Sequence, residues 1–450
     1  MKKILSIILT SILFISGLGA GASLLQETTL KQPVLLDEYD MVIIAPEMFS
    51  DVLQPLLAHK NTVGIQTFLK TTEEIYTEYD GRDEAEQIKY YLYEAVETLG
   101  ISYVLLIGDV DTLPIRTTEV NHIWPGADLI QVDNIITDLY YADIFDAEGN
   151  FSSWDSNNDN VFSEFYLYNM GENPGEIEVV DEVDLYPDIG VGRIPCGNDN
   201  ELANVIDKII SYETQSFGEW FHRLILAGED GFPEPGYQCE MITDWVGELL
   251  KNFTSVKLYE SLGTLKPRLI NKELNTGAGL FLFFAHGRHM AIANYHKLFI
   301  KGLNNIDKLP VAFIGGCYNA QLDASVYSLL IEFGLVRMDS FLQFLGVDTT
   351  KLQRCIAWEF LKYEKGGSIA TIGSTRKGHL NREDPLSSFG GLLIIKFFES
   401  YEPGIKLSEM YIKAVTSFIN DTWKDYMTLQ EIIILGDPSL KIGGYPAIYT

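Results

Sequence analysis

Two segments of this chain end in side chains suited to covalent catalysis. The apolar run Phe281-Leu282-Phe283-Phe284-Ala285 delivers His286-Gly287, and the run Val311-Ala312-Phe313-Ile314-Gly315-Gly316 delivers Cys317. A thiol becomes a strong nucleophile when an imidazole takes or shares its proton. Gly287, Gly315 and Gly316 leave room for a peptide to approach the main chain, and the N–H groups of Gly287 and Cys317 can serve as an oxyanion hole. A single cysteine at a strand end is more commonly a small buried apolar residue, and a single histidine a satisfied polar one. Their joint occurrence at the ends of two apolar strands favours a dyad of Cys317 as nucleophile and His286 as acid/base. His289 competes for the second role. His286 is preferred because it leaves the strand directly and precedes glycine.

The elements that must hold these residues follow from periodicity. From Tyr39 onward short β-branched runs alternate with longer helical segments, the pattern of parallel strands with crossover helices. Met41 to Ala45 reads as the first strand, Asp83 to Leu99 as a helix with Ile88, Tyr91, Leu92, Ala95 and Leu99 on one face, and Tyr103 to Ile107 as a buried strand. Residues 118 to 186 are rich in Asp, Asn and Gly with little periodicity and read as a long excursion. The core resumes at Ile189 to Arg193, followed by a helix from Glu201 to Glu213 with Asp199 and Asn200 as candidate caps. A boundary between two units is expected near Gln215 to Gly218. A second series follows: strands at 223–227, 256–259, 280–285, 311–314 and 368–372, with helices at 241–251 and 355–363. Catalytic groups of such sheets gather beyond the carboxyl ends of the strands, which is where His286 and Cys317 fall.

With these residues in place the chain resembles the gingipain family of cysteine peptidases, of the caspase-like clan. The strings DMVIIAP, YVLLIGDVDTLPIR, DLYYAD, PDIGVGRIP, FFAHG, GGCYNA, GGSIATIGSTR and LGDPSL read as family landmarks in family order across residues 39 to 442. The resemblance implies an α/β fold, a caspase-like three-layer α/β/α arrangement in two packed subdomains with mostly parallel sheets. These subdomains are expected at residues 39–216 and, carrying the catalytic groups, at 217–444. It further implies endopeptidase activity on polypeptide substrates and the roles given to His286 and Cys317. The family also carries an acid that orients the histidine; LILAGEDG places Glu229 there, with Asp230 beside it. A carboxylate on the far imidazole nitrogen fixes the tautomer and stabilises the imidazolium. The family's acid in the specificity pocket has no unambiguous counterpart. Glu234, Glu240 and Asp244 are candidates, each read more simply as a solvent-facing acid.

Composition bounds the alternatives. The net charge of −30, from 63 acidic and 33 basic residues, repels phosphate backbones and anionic lipid, so nucleic acid is not an expected partner. Lys2 and Lys3, the uncharged run from Ile4 and the small residues Ala20-Gly21-Ala22 read as an export signal over residues 1–22, with 23–38 as a short lead. The uncharged stretch continues to Leu25, long enough for an uncleaved anchor, and beyond such an anchor no membrane role is expected. The chain is therefore expected to be secreted or held at the cell surface. In that setting one bridge among Cys196, Cys239 and Cys355 is permitted, and no spacing dictates a pairing.

Asp155, Asn157 and Asp159 stand at relative positions 1, 3 and 5 of an oxygen-rich loop, followed by the carbonyl of Val161 and the carboxylate of Glu164. Such a set suits a structural calcium ion, with Asn160 where an EF-hand has glycine; the bland reading is an Asx-rich surface loop. No organic cofactor is expected. Two other functions use the same residues: a catalytically silent binding protein that keeps the fold, and a thiol acyltransferase or ligase in which an amine rather than water resolves the acyl-enzyme.

Overall fold

A computed structural model describes residues 38–123, 130–168, 177–215, 217–229, 231, 236–332, 335, 338–348, 354–381, 384–387, 389–421 and 425–445. The proposed leader and anchor, Asp230 and Glu234 lie outside the described residues.

Ten strands form one continuous sheet: β1 (Met41–Ala45), β2 (Thr67–Thr71), β3 (Tyr103–Ile107), β4 (Gly190–Ile194), β5 (Arg223–Gly228), β6 (Thr254–Tyr259), β7 (Leu280–Phe284), β8 (Val311–Gly315), β9 (Ala370–Ser374) and β10 (Ile432–Leu435). Their spatial order is β6-β5-β7-β8-β9-β10-β4-β3-β1-β2. Every neighbouring pair is parallel except β9 and β10, where Ser374 faces Ile432 and Thr371 faces Leu435. The sheet is thus two parallel blocks of opposite direction. Chain order divides the blocks at the 215–218 segment, apart from β10, which returns from the end of the chain to join the first block.

The apolar runs are continuous because both faces of these strands are covered. Leu224, Leu226, Leu280, Leu282, Val311 and Phe313 enter one core, while the alternate residues Ile225, Ala227, Phe281, Phe283, Ala312 and Ile314 enter another. Helices at Gln238–Leu249 and Phe389–Glu399 feed the first core and the helix at Pro267–Thr276 the second, so the layers are helix, sheet, helix.

The helices fall within a few residues of the bounds the sequence predicts; the one expected at 241–251 runs from Gln238 to Leu249. The helix Glu84–Leu99 starts on Asp83, whose side chain accepts from Glu86 N, and stops at Gly100 with φ 72°. The helix Asp199–Thr214 is capped by Asn198 rather than by Asp199 or Asn200, because the Asn198 side chain accepts from Glu201 N. The excursion is also more ordered than its composition suggests. It contains a four-stranded sheet, ordered 130–137, 116–123, 165–168, 177–179. Its polar residues hide this because short strands that are solvated on one face lack a strong apolar signal.

The LGDPSL string is structural. Lys60 is fully buried, with its Nζ 2.8 Å from Glu213 Oε2 and 2.5 Å from Asp437 Oδ2. Burial works against the ammonium, yet the two carboxylates outweigh it and hold the lysine charged. Asp437 Oδ1 also accepts from the N–H and the hydroxyl of Ser439, both at 2.8 Å.

Candidate active site

Four adjacent parallel strands, β5, β7, β8 and β9, present their carboxyl ends side by side, and each hands on one part of the site. These parts are Glu229 after β5, His286 after β7, Cys317 after β8 and the segment 375–380 after β9. Glu229 N donates to Phe284 O at 3.3 Å and Ala285 N to Gly315 O at 3.2 Å, so the ladder extends into the catalytic loops.

The His286 and Cys317 loops are in main-chain contact. A Cβ on Gly287 would fall 2.4 Å from Cys317 N and 2.5 Å from Cys317 O, and one on Gly316 would fall 2.9 Å from Gly287 Cα. Only glycine fits at both places. The Asn319 side chain, fully buried, donates to the carbonyls of Arg288 (2.7 Å) and Ala291 (2.9 Å) and so ties the hairpin after His286 to the turn after Cys317. Tyr318 between them has φ 61°, an uncommon conformation for a bulky residue, and its N–H donates to Arg376 O at 2.8 Å.

His286 is exposed and its Nε2 lies 2.6 Å from the carbonyl of Gly231. A carbonyl only accepts, so Nε2 carries the proton and Nδ1 is the basic nitrogen of the neutral ring. Glu229 Oε2 accepts from the backbone N–H of His286 at 2.8 Å. His289 is 1 % exposed, and its carbonyl accepts from Ile356 N at 2.9 Å, which makes it part of the packing.

Cys317 is half-buried, with Sγ 3.8 Å from the carbonyl of Gly378. Burial pushes its thiol above the usual range; the Glu431 carboxylate adds to this, and Lys377 opposes it. Cys196, Cys239 and Cys355 are all buried, and no disulfide joins the four cysteines. Asn319 and Arg376 lie within the GGCYNA and GGSIATIGSTR strings, but no local pattern assigns either a contact here, and Glu431 carries no local signal at all. Arg376 pairs with Asp323 at 2.6 Å and its Nε donates to Asn134 O, so the small sheet of the excursion braces the segment beside the thiol.

Of the candidate pocket acids, Glu240 and Asp244 fall among the described residues, and both are bonded to neighbouring side chains. Glu240, expected at the surface, is 6 % exposed and accepts from Ser261 N (2.9 Å) and Ser261 Oγ (2.5 Å). Asp244 accepts from Tyr259 Oη at 2.5 Å and pairs with Lys257 at 2.8 Å.

In the oxygen-rich loop, Asp155 accepts from Asp159 N (3.2 Å) and Asn160 N (3.0 Å) and pairs with Arg82. Asn157 Oδ1 accepts from Asp159 N (3.0 Å), Asp159 Oδ1 from Val161 N (2.8 Å), and Glu164 Oε1 from Asn121 (3.0 Å). Among the described residues no group of three or more His, Cys, Asp or Glu is placed to hold a metal. The Arg82 guanidinium is the cation that stands beside Asp155.

An open α/β sheet whose adjacent strand ends bring a cysteine and a histidine together is the scaffold of a caspase-like cysteine peptidase. Residues 35–443 match the model of peptidase family C25, and the chain belongs to that family. It is 24 % identical over 292 residues to gingipain R2 of Porphyromonas gingivalis (strain ATCC BAA-308 / W83), covering 62 % of this chain and 32 % of that one. An uncharacterized protein of Archaeoglobus fulgidus is 23 % identical over 333 residues, 65 % of this chain and 68 % of that one. The chain spans about a third of the length of the gingipain R2 it matches. The crystal structure of the Arg-specific cysteine proteinase gingipain R superimposes with a TM-score of 0.63 at 20 % identity, covering 90 % of this chain and 78 % of that one. The complex of the RgpB pro- and mature domains gives 0.62 at 20 % identity, covering 90 % and 79 %. The shared architecture is the caspase-like fold.

Proposed function

We propose that this chain is a cysteine endopeptidase. Cys317 attacks the carbonyl carbon of a peptide bond, and His286 Nδ1 takes the thiol proton and later gives it to the departing amine. The N–H groups of Gly287 and Cys317 hold the oxyanion of the tetrahedral intermediate. Water then attacks the thioester, assisted by the same imidazole, and releases the acid. Burial raises the Cys317 thiol, which favours its protonated form and makes a base at His286 the more useful to attack. The observation that carries this reading is the main-chain contact between Gly287 and Cys317, which joins the nucleophile's loop to the base's loop.

Cys317→Ala and His286→Ala are expected to abolish cleavage of a diverse peptide library while leaving the melting temperature near that of the parent. Full activity in folded Cys317→Ala removes the reading. The same product profile separates hydrolysis from transfer to added amines.

The leader over residues 1–22 supports export, which sequencing of the mature N-terminus tests. No helix among the described residues is long and apolar enough to cross a membrane. A structural calcium ion at 155–164 is part of this proposal and requires Arg82 to leave Asp155.

A further inference from the structure

The helix Tyr426–Glu431 ends where β10 begins, at the same sheet edge as the carboxyl end of β9. Thr375 N donates to Glu431 O at 2.7 Å, continuing the β9–β10 ladder by one step into the segment beside Cys317. The Glu431 side chain is 1 % exposed, and its Oε2 has no hydrogen-bond partner. Its Oε1 lies 3.5 Å from where a Cβ on Gly378 would stand, and the carbonyl of the same Gly378 is 3.8 Å from Cys317 Sγ. One glycine's main chain therefore separates a buried carboxyl from the nucleophile.

We propose that Glu431 is a positioning residue for the reaction, one that acts through Cys317: held behind Gly378, its charge state governs how readily the thiol gives up its proton. The inference rests on the assignment of Cys317 as nucleophile. A neutral carboxyl in this place leaves the thiolate unopposed, whereas a carboxylate repels it through a medium that screens poorly. Burial, and then the nearby Asp425, push the Glu431 carboxyl up to about 8, so it switches within the working range of a thiol enzyme.

Other titratable and charged groups stand near: His379 follows Gly378 and burial lowers its imidazole to about 4, and burial also raises the Asp425 carboxyl, whose Oδ2 has no hydrogen-bond partner. Asp425 caps its own helix by accepting from Thr428 N at 3.1 Å. Arg376, on the segment after β9, is paired with Asp323, and Lys377 beside it is exposed. Strand 130–137, packed on the helix, brings Asp133, which is 3.1 Å from His122. The helix Phe389–Glu399 brings Lys396, paired with Asp421 at 2.5 Å. Of these groups Glu431 is the carboxyl that acts on the thiol, with Gly378 between them.

The test is the pH dependence of Cys317 alkylation by iodoacetamide, read by mass spectrometry of its peptide in the full chain, for the parent, Glu431→Gln and Glu431→Leu. Both variants remove the charge; the first keeps the shape, the second tolerates loss of the polar group. In each the midpoint of the rate profile is expected to fall by about one pH unit, the size of a single poorly screened charge a few ångströms away. An unchanged midpoint in both variants overturns the proposal. A shift in only one of them assigns the effect to local repacking and overturns it equally. Because the readout is alkylation rather than hydrolysis, it fails independently of the peptidase assignment, which stands or falls on peptide cleavage by Cys317→Ala.

Discussion

Glu229 Oε2 accepts from the main-chain N–H of His286 at 2.8 Å, while the His286 ring nitrogen Nε2 is held at 2.6 Å by the carbonyl of Gly231. The acid so placed anchors the backbone of the His286 loop, and a main-chain oxygen sets the tautomer. Glu229→Gln keeps an acceptor for that N–H and is expected to be nearly silent; Glu229→Ala releases the loop. A positioning loss of this kind lowers kcat by about 10-fold to 100-fold, well short of the loss of nucleophile or base. Steady-state kinetics on a small ester substrate decide it. Equal damage from Gln and Ala would show that the charge, not the anchor, is what matters.

Gly287→Ala forces a methyl group to within 2.4 Å of Cys317 N. The two loops must part, and with them the oxyanion donors and the base. Turnover is expected to fall more than about 100-fold, on the scale of losing one oxyanion donor, with a stability cost of about 1–3 kcal/mol from overpacking. Activity within a few-fold of the parent would mean that the contact does not define the site.

Lys60 pairs with two buried carboxylates. Lys60→Met leaves Glu213 and Asp437 without it, although His59 Nε2, 2.8 Å from Glu213 Oε2, compensates in part. Breaking a buried pair from one side costs about 3–5 kcal/mol. Urea unfolding should show a loss of this order with an unchanged slope, and a loss under about 1 kcal/mol would mark the cluster as solvent-screened.

The strand ends that carry His286 and Cys317 are legible because each residue follows a run of apolar residues, and such runs are buried strands whatever the tertiary context. The same logic placed β1, β3, β5, β7 and β8 close to their observed bounds. What stayed hidden depends on distant pairing. Strand β10 runs against β9 and borders β4, a position that no local pattern encodes. Glu431 gains its burial only once the helix Tyr426–Glu431 packs on the excursion's small sheet, so in the sequence it is one acid among 63. Glu229 was found by resemblance, and its target on the backbone of His286 became visible only with the β5–β7 ladder.

Calcium at the loop 155–164 must compete with Arg82 for Asp155. Arg82→Gln is therefore expected to enlarge the rise in melting temperature on adding calcium, and Asp155→Asn to abolish it. A ligand at one hundred times its dissociation constant stabilises the native state by about 2.7 kcal/mol. Thermal melts in calcium and in chelator provide the comparison. Indifference to calcium in both the parent and Arg82→Gln would leave the loop as an Asx-turn structure held by its own backbone.

Glu431 also predicts how stability varies with pH. Its carboxyl is raised from the ordinary 4.5 to about 8 in the folded protein, first by burial. The folded state therefore keeps a proton that the unfolded chain releases. The associated stability is fully present below 4.5 and declines as pH rises, until the folded carboxyl ionises at about 8. Within that window one proton is bound in the native state and none in the unfolded one, a slope of about 1.4 kcal/mol per pH unit. Glu431→Gln has no proton to lose, so its stability relative to the parent is expected to improve steadily from pH 5 to about 8 and then level off. Asp425, raised in the same direction by burial, is present in both proteins, so the difference reports Glu431 together with its repulsion by Asp425. Urea midpoints of the two proteins at several pH values measure it directly. Parallel pH profiles would mean that Glu431 is already ionised in the folded protein at neutrality, with its charge met by Arg376 or by solvent.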